Sequence, residues 1–205
     1  MSQQAHHADE HRDDEASKIG MWLFIFTELF LFTGLFIVYA IYRHMHPVAF
    51  HLSAHELSVP IGTLNTVILL VSSMTVAMAT SAIRKGQRLQ TLLLLSVTVL
   101  LAMAFMVNKY FEWGAKFEHG LYPGSAILHE RGFGDTMFFG LYFFMTGLHA
   151  LHIIAGVTLI LVVFAKVYRN KLTSENPVLL DNAGLYWHLV DLIWIFLFPL
   201  FYLIT

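Results

Sequence analysis

Residues 19–42 read IGMWLFIFTELFLFTGLFIVYAIY, an apolar run whose one ionisable side chain is Glu28. At 1.5 Å per residue such a helix rises about 36 Å, enough to cross the roughly 30 Å hydrocarbon layer of a bilayer. Glu28 lies about ten residues beyond the basic anchor Lys18, so roughly 15 Å along the helix axis. An ionisable group that deep costs at least ~2.5–3.5 kcal/mol, and such a residue is there for packing or for function.

Working outward, four further stretches of similar character follow at 60–83, 90–111, 136–166 and 183–204, separated by polar segments or by Pro and Gly. The chain is 57% hydrophobic and 13% charged, which excludes an ordinary soluble domain. No stretch alternates apolar and polar residues as a membrane barrel strand does. The expected fold is all-α, an integral membrane bundle of five transmembrane helices in one domain, 19–205. Residues 1–18, with Asp9, Glu10, Asp13, Asp14, Glu15 and His6, His7, His11, read as a disordered, solvated tail. That tail is acidic and the first apolar run is long, so no cleavable signal peptide is expected. A net charge of -2 argues against a nucleic-acid partner.

Lys and Arg near helix ends set orientation. With the N-terminus inside, Arg12, Lys18, Arg84, Lys85, Arg88, Lys166, Arg169 and Lys171 fall on the cytoplasmic side. Only Arg43, Lys109, Lys116 and Arg131 fall on the other. The expected topology has a cytoplasmic N-terminus and a periplasmic C-terminus, with the Gly- and His-rich loop 111–135 outside.

Cysteine is absent. That excludes disulfides, covalently attached c-type haem, thiolate copper and iron–sulfur clusters. A redox cofactor on this chain would need histidine or methionine ligands.

The polar groups inside the spans carry the functional signal. Glu28 has Phe24, Ile25, Leu31 and Phe32 at helical spacing, surroundings that disfavour a bare charge. It is either a carboxyl hydrogen-bonded across the bundle or a proton-handling group. His149 and His152, three apart, share a helix face beside Gly147 and Gly156, small residues that permit close helix approach. They read as half of a metal or haem site, or as interhelical hydrogen-bonding and lipid-contacting groups. A metal centre needs three or four convergent ligands, and no clear further set is visible. His188 and Asp191 share a face of the last helix, where a carboxylate orienting an imidazole is a common arrangement. Glu28, Asp191 and the histidines are a possible polar seam. Lys109 and Glu112 are spaced to pair, Asn65 to Thr75 offers a small-residue packing face, and Trp22, Trp113 and Trp187 fit interfacial belts.

Taken in order, these segments resemble subunit III of the haem–copper respiratory oxidases. The first span is similar to the family's Glu-bearing segment, here Phe26-Thr-Glu28-Leu-Phe-Leu-Phe-Thr-Gly34. Leu64-Asn-Thr-Val-Ile-Leu-Leu-Val-Ser-Ser73 is similar to its Asn-Thr-x-x-Leu-Leu-x-Ser-Ser motif, and Glu112 sits in its aromatic-flanked Phe-Glu-Trp. Thr146-Gly147-x-His149-x-x-His152 and Tyr186-Trp187-His188-x-x-Asp191-x-x-Trp194 match the fourth and fifth spans. The resemblance covers nearly everything after residue 18 and fits the short five-helix bacterial form, two helices fewer than the mitochondrial one.

The resemblance implies an accessory, non-catalytic subunit of a proton-pumping terminal oxidase that reduces oxygen to water. It would be part of an oxidoreductase complex of aerobic respiratory electron transport, with cytochrome c as the favoured donor. It implies no metal and no cofactor in this chain, with haem and copper in partner subunits, contact with catalytic subunit I, and subunit II in the same complex. It also implies a bacterial inner membrane location and phospholipids held in a cleft. Glu28 would be the family's carbodiimide-reactive carboxylate, and His149, His152, His188, Asp191 and Glu112 would shape the cleft and subunit contacts. Alternatives are subunit III of a quinol oxidase, the related accessory subunit of nitric oxide reductases, a haem-binding cytochrome b using His149 or His152 with His188, and a proton-coupled transporter using Glu28.

Overall fold

The computed structural model describes the backbone of residues 2–204 and the side chains of residues 15–204. It is all helical, and five of its helices are long and apolar enough to cross a membrane. In chain order these are α1 (Ser2–Met45), α3 (Val59–Arg84), α4 (Arg88–Glu118), α6 (Phe133–Tyr168) and α7 (Val178–Tyr202). Two short helices, α2 (Pro47–Ala54) and α5 (Ala126–Arg131), lie in the connections at one end.

Each expected span is present, with different ends. The first helix starts at Ser2, so its backbone takes in the tail expected to be disordered. Adding turns to a nucleated helix costs little, which is the physical route to such an extension. The side chains of 2–14 lie outside the described residues. α4 runs seven residues past the expected limit of 111, to Glu118, and carries Glu112 and Lys116 as helical residues, not loop residues. The two short helices have local causes: Pro47 stands in the first turn of α2, and the Ser125 side chain caps α5 by accepting from the Leu128 N–H.

α7 occupies the centre of the bundle. It packs against α1, α3 and α6, while α4 closes the far side against α3 and α6. Tyr39 near the end of α1 donates to the Leu200 carbonyl near the end of α7, so these two helices run parallel. That carbonyl belongs to the last turn, where helix geometry leaves acceptors unsatisfied. Ser53 of α2 donates to Asp135 Oδ1 of α6 at 2.7 Å, and Arg131 pairs with Glu56, tying the connections together at this end. At the opposite end Arg88 donates to the carbonyls of Val167 and Tyr168, and Arg84 grips Asp181 with both oxygens 3.0 Å away.

Helices in a bilayer gain little from burying apolar surface, so close packing and interhelical hydrogen bonds must hold them. Indole donors do much of this. Trp187, fully buried, donates to Ser72 Oγ at 3.1 Å, and Trp194 donates to Thr66 Oγ1 at 3.0 Å. Asn108 donates to Asn65 at 2.9 Å, and Thr75 meets Thr98 at 2.7 Å. The small-residue face of α3 is thus a row of hydrogen-bond acceptors and not only a smooth packing surface. Trp187 is correspondingly a core residue and not part of an interfacial belt; Trp22 does stand exposed. Of the two glycines expected to admit a neighbour, Gly156 does so. A Cβ there would come 2.8 Å from Trp187 Cε3, whereas one at Gly147 would meet nothing within 4 Å.

Candidate functional site

Glu28 on α1 and His152 on α6, far apart in sequence, meet in the bundle. Glu28 Oε2 lies 2.9 Å from His152 Nε2. The other ring nitrogen, Nδ1, lies 2.8 Å from the Leu148 carbonyl. A carbonyl only accepts, so Nδ1 carries hydrogen and the ring orientation is fixed from behind. Two lone pairs at 2.9 Å would repel, so one proton lies between Nε2 and Oε2. The pair is therefore a neutral acid beside a neutral imidazole, or a carboxylate beside an imidazolium, and both states have zero net charge. This is how the chain carries two ionisable groups at membrane depth without an uncompensated charge. Phe32 lies edge-on to the His152 ring with centroids 5.4 Å apart, and Tyr186 donates to the His152 carbonyl at 3.1 Å. The side chains retain slight exposure, 16% for Glu28 and 10% for His152, so the pair sits at the edge of the bundle.

The arrangement makes an expected result specific. Glu28→Gln keeps a hydrogen bond, because the amide N–H donates to a bare Nε2, and should change stability by less than about 1 kcal/mol. Glu28→Leu leaves the imidazole nitrogen without a partner and should cost about 1–3 kcal/mol. Thermal unfolding of the detergent-solubilised chain reads the difference, and equal stability of the two variants would refute the pairing.

The other candidate residues do not join Glu28 in one seam. His188 Nδ1 lies 2.6 Å from Ser73 Oγ of α3 and not on Asp191. Asp191, buried, has no hydrogen bond to either carboxyl oxygen among the described residues. The Ser73 hydroxyl is the polar group beside it. His188 and Asp191 share a helix face as expected, but the Ser73 hydroxyl claims the imidazole that the carboxylate was expected to orient. His149 is fully buried, its ring held between Phe105 and Trp194 at centroid distances of 5.7 and 5.2 Å, and both its nitrogens lack partners among the described residues. Unpaired buried groups cost about 1–3 kcal/mol each. Among the described residues no three His, Asp or Glu side chains converge as a metal cage would require.

Lys109 and Glu112 pair as their spacing predicts, and the pair is buried in the bundle. Lys109 Nζ donates to Glu112 Oε2 at 3.0 Å, Tyr142 OH at 3.0 Å and Tyr202 OH at 3.1 Å, which uses all three of its hydrogens. Tyr142 and Tyr202 donate in turn to Glu112 Oε1 at 2.9 and 2.5 Å. The ammonium also lies over the rings of Tyr142 and Trp194, 4.9 and 5.4 Å from their centroids. Three helices, α4, α6 and α7, are tied by one fully satisfied ionic knot. The two tyrosines were missed in the sequence because nothing local marks which of many aromatic residues reaches a distant helix.

At the end of the bundle shared by the start of α1, the end of α3 and the start of α7 lies a cleft of about 450 Å3. Its walls include Lys18, Trp22, Arg84, Asn182 and His188. Asp181 also lines this cleft and engages Arg84, so Lys18 and the Trp22 indole are the groups in its walls that suit a phospholipid head group at a membrane surface.

Comparison with known proteins gives the family of the chain. The family model described as cytochrome c oxidase subunit III matches residues 2–205. The chain is 32% identical over 201 residues to cytochrome bo(3) ubiquinol oxidase subunit 3 of Pseudomonas aeruginosa, covering 96% of this chain and 90% of that protein. It is 31% identical over 188 residues to cytochrome c oxidase subunit 3 of Corynebacterium diphtheriae, covering 91% and 87%. Against the corresponding subunit of Yarrowia lipolytica identity is 32% over 194 residues, covering 90% of this chain and 66% of the longer relative. Five membrane-length helices with this whole-chain match show that the protein belongs to the subunit III family of haem–copper oxidases.

Proposed function

We propose that this chain is the accessory, non-catalytic subunit III of a bacterial inner-membrane terminal oxidase, a proton-pumping complex that reduces oxygen to water. Its N-terminus is cytoplasmic and its C-terminus periplasmic. It packs directly on the haem- and copper-bearing subunit I, in a complex that also contains subunit II, and carries no redox centre itself. The observation that supports this reading best is how two intramembrane histidines are used: His152 by Glu28 and His188 by Ser73. His152 has Glu28 and the Leu148 carbonyl at its two ring nitrogens, which leaves it no free nitrogen for a haem iron and weighs against its use in a cytochrome b. The unbroken course of α1 through Glu28 weighs against a transporter, whose sites form at interrupted helices.

The subunit's contribution is scaffolding: phospholipid held in the cleft beside Lys18 and Trp22, and support of subunit I and its proton uptake. The electron donor is a property of the partner subunits, and relatives from a quinol oxidase and a cytochrome c oxidase match at the same identity. The test is deletion. Membranes lacking this chain should retain the haem spectra of the complex, while the oxidase loses activity progressively during turnover. Loss of the haem spectra in an assembled complex, or turnover as durable as in the parent, would overturn the proposal.

A further inference from the structure

Helix α2 lies at one end of the bundle; it carries His51, and His55 follows one turn on at its C-cap. Their Nε2 atoms are 3.2 Å from each other, and the contact is exposed. The rings are perpendicular, with centroids 4.6 Å apart. Imidazole nitrogens bind zinc at about 2.0–2.1 Å, so two of them around a tetrahedral ion stand about 3.3 Å apart. The observed separation is within about 0.2 Å of that requirement, the tolerance expected of a real ligand pair. The backbone supports it: α2 begins on a proline, and the His55 N–H bonds the His51 carbonyl at 3.4 Å, so both residues stand on one helical turn.

From this geometry we propose that His51 and His55 form a two-histidine chelate for a first-row divalent cation of the Cu2+, Ni2+, Zn2+ class. Water fills the remaining coordination positions. When both rings are neutral, one Nε2–H donates to the other Nε2 in the ion-free pair. Binding needs both lone pairs, and the donor ring supplies its own by moving that hydrogen to Nδ1, with no net proton released. Glu56, next in sequence, is held by Arg131 and is not a ligand. Arg43 of α1 lines the same groove as His51 and is the nearby charge that opposes a cation. Affinity is expected to follow the usual divalent order, with Cu2+ above Ni2+ and Zn2+. The site is distinct from the Glu28–His152 pair, and nothing in the subunit III reading requires it.

The test uses the detergent-solubilised full chain with His6, His7 and His11 replaced by alanine, so that no tail histidine competes for the ion. Equilibrium dialysis against Zn2+ should show one bound ion per chain. His51→Ala or His55→Ala should each raise the dissociation constant at least tenfold, and the double variant should be little worse than either, since losing one arm ends the chelate. His129→Ala, another exposed histidine, should change nothing. An effect under tenfold, or an equal effect at His129, overturns the proposal. Zinc-edge X-ray absorption on the chain with His51 and His55 intact should show two imidazoles, and any other number overturns it as well.

Discussion

Lys109→Leu should be the most damaging single substitution in this chain, costing about 3–5 kcal/mol. The reason is what it leaves behind. Glu112 and two tyrosine hydroxyls stay buried after their central cation is gone, and a carboxylate without its counter-ion in a dry interior is far costlier than the loss of an attraction. The double variant Lys109→Leu, Glu112→Leu should recover most of that loss, because apolar replacements for a buried pair are often close to neutral. The tyrosines then lose their acceptor, so recovery will be incomplete by about 1–3 kcal/mol. Thermal unfolding of the four corners of this double-mutant cycle gives the coupling energy. A coupling under about 1 kcal/mol would show that the two charges are not interdependent.

Gly156→Leu should cost about 1–3 kcal/mol from overpacking. A side chain at this point meets Trp187 at 2.8 and 2.9 Å and Tyr186 at 3.2 Å, so the indole must move. Moving it breaks its bond to Ser72, which adds about 0.5–1.5 kcal/mol. Gly147→Leu is the matched control: the same change, on the same helix, into open space, and it should leave the melting temperature of the isolated chain unchanged. If Gly147→Leu instead prevents assembly with partner subunits, that face of α6 is where they dock. Equal destabilisation by both substitutions would contradict the packing described here.

The five spans were legible because hydrocarbon thickness imposes a length that composition alone reveals. Their ends were not. α4 continues past its apolar stretch because Glu112 and Lys116 point to partners inside the protein, Tyr142, Tyr202 and the Glu56 carbonyl, and not to water. Hydropathy scores a lysine as an exit from the membrane whatever it touches. The i,i+3 pair of Lys109 with Glu112 was readable, since one helix fixes that geometry. The Glu28–His152 pair was not, since its partners lie 124 positions apart and only tertiary packing chooses His152 over His149. Likewise His188 and Asp191 shared a face as periodicity requires, yet Ser73 on another helix claimed the imidazole. Sequence spacing limits which groups share a side of one helix, and the neighbouring helix decides which of them bond.

The single shared proton between Glu28 and His152 has an electrical consequence. Even the full 2.9 Å between the two heavy atoms is only about a tenth of the insulating layer, so 100 mV biases the two forms by no more than about 0.2 kcal/mol. The site is close to blind to voltage. Whatever sets which atom holds that hydrogen is a nearby dipole or a changed contact from a neighbour, and an energised membrane leaves the balance almost where it finds it.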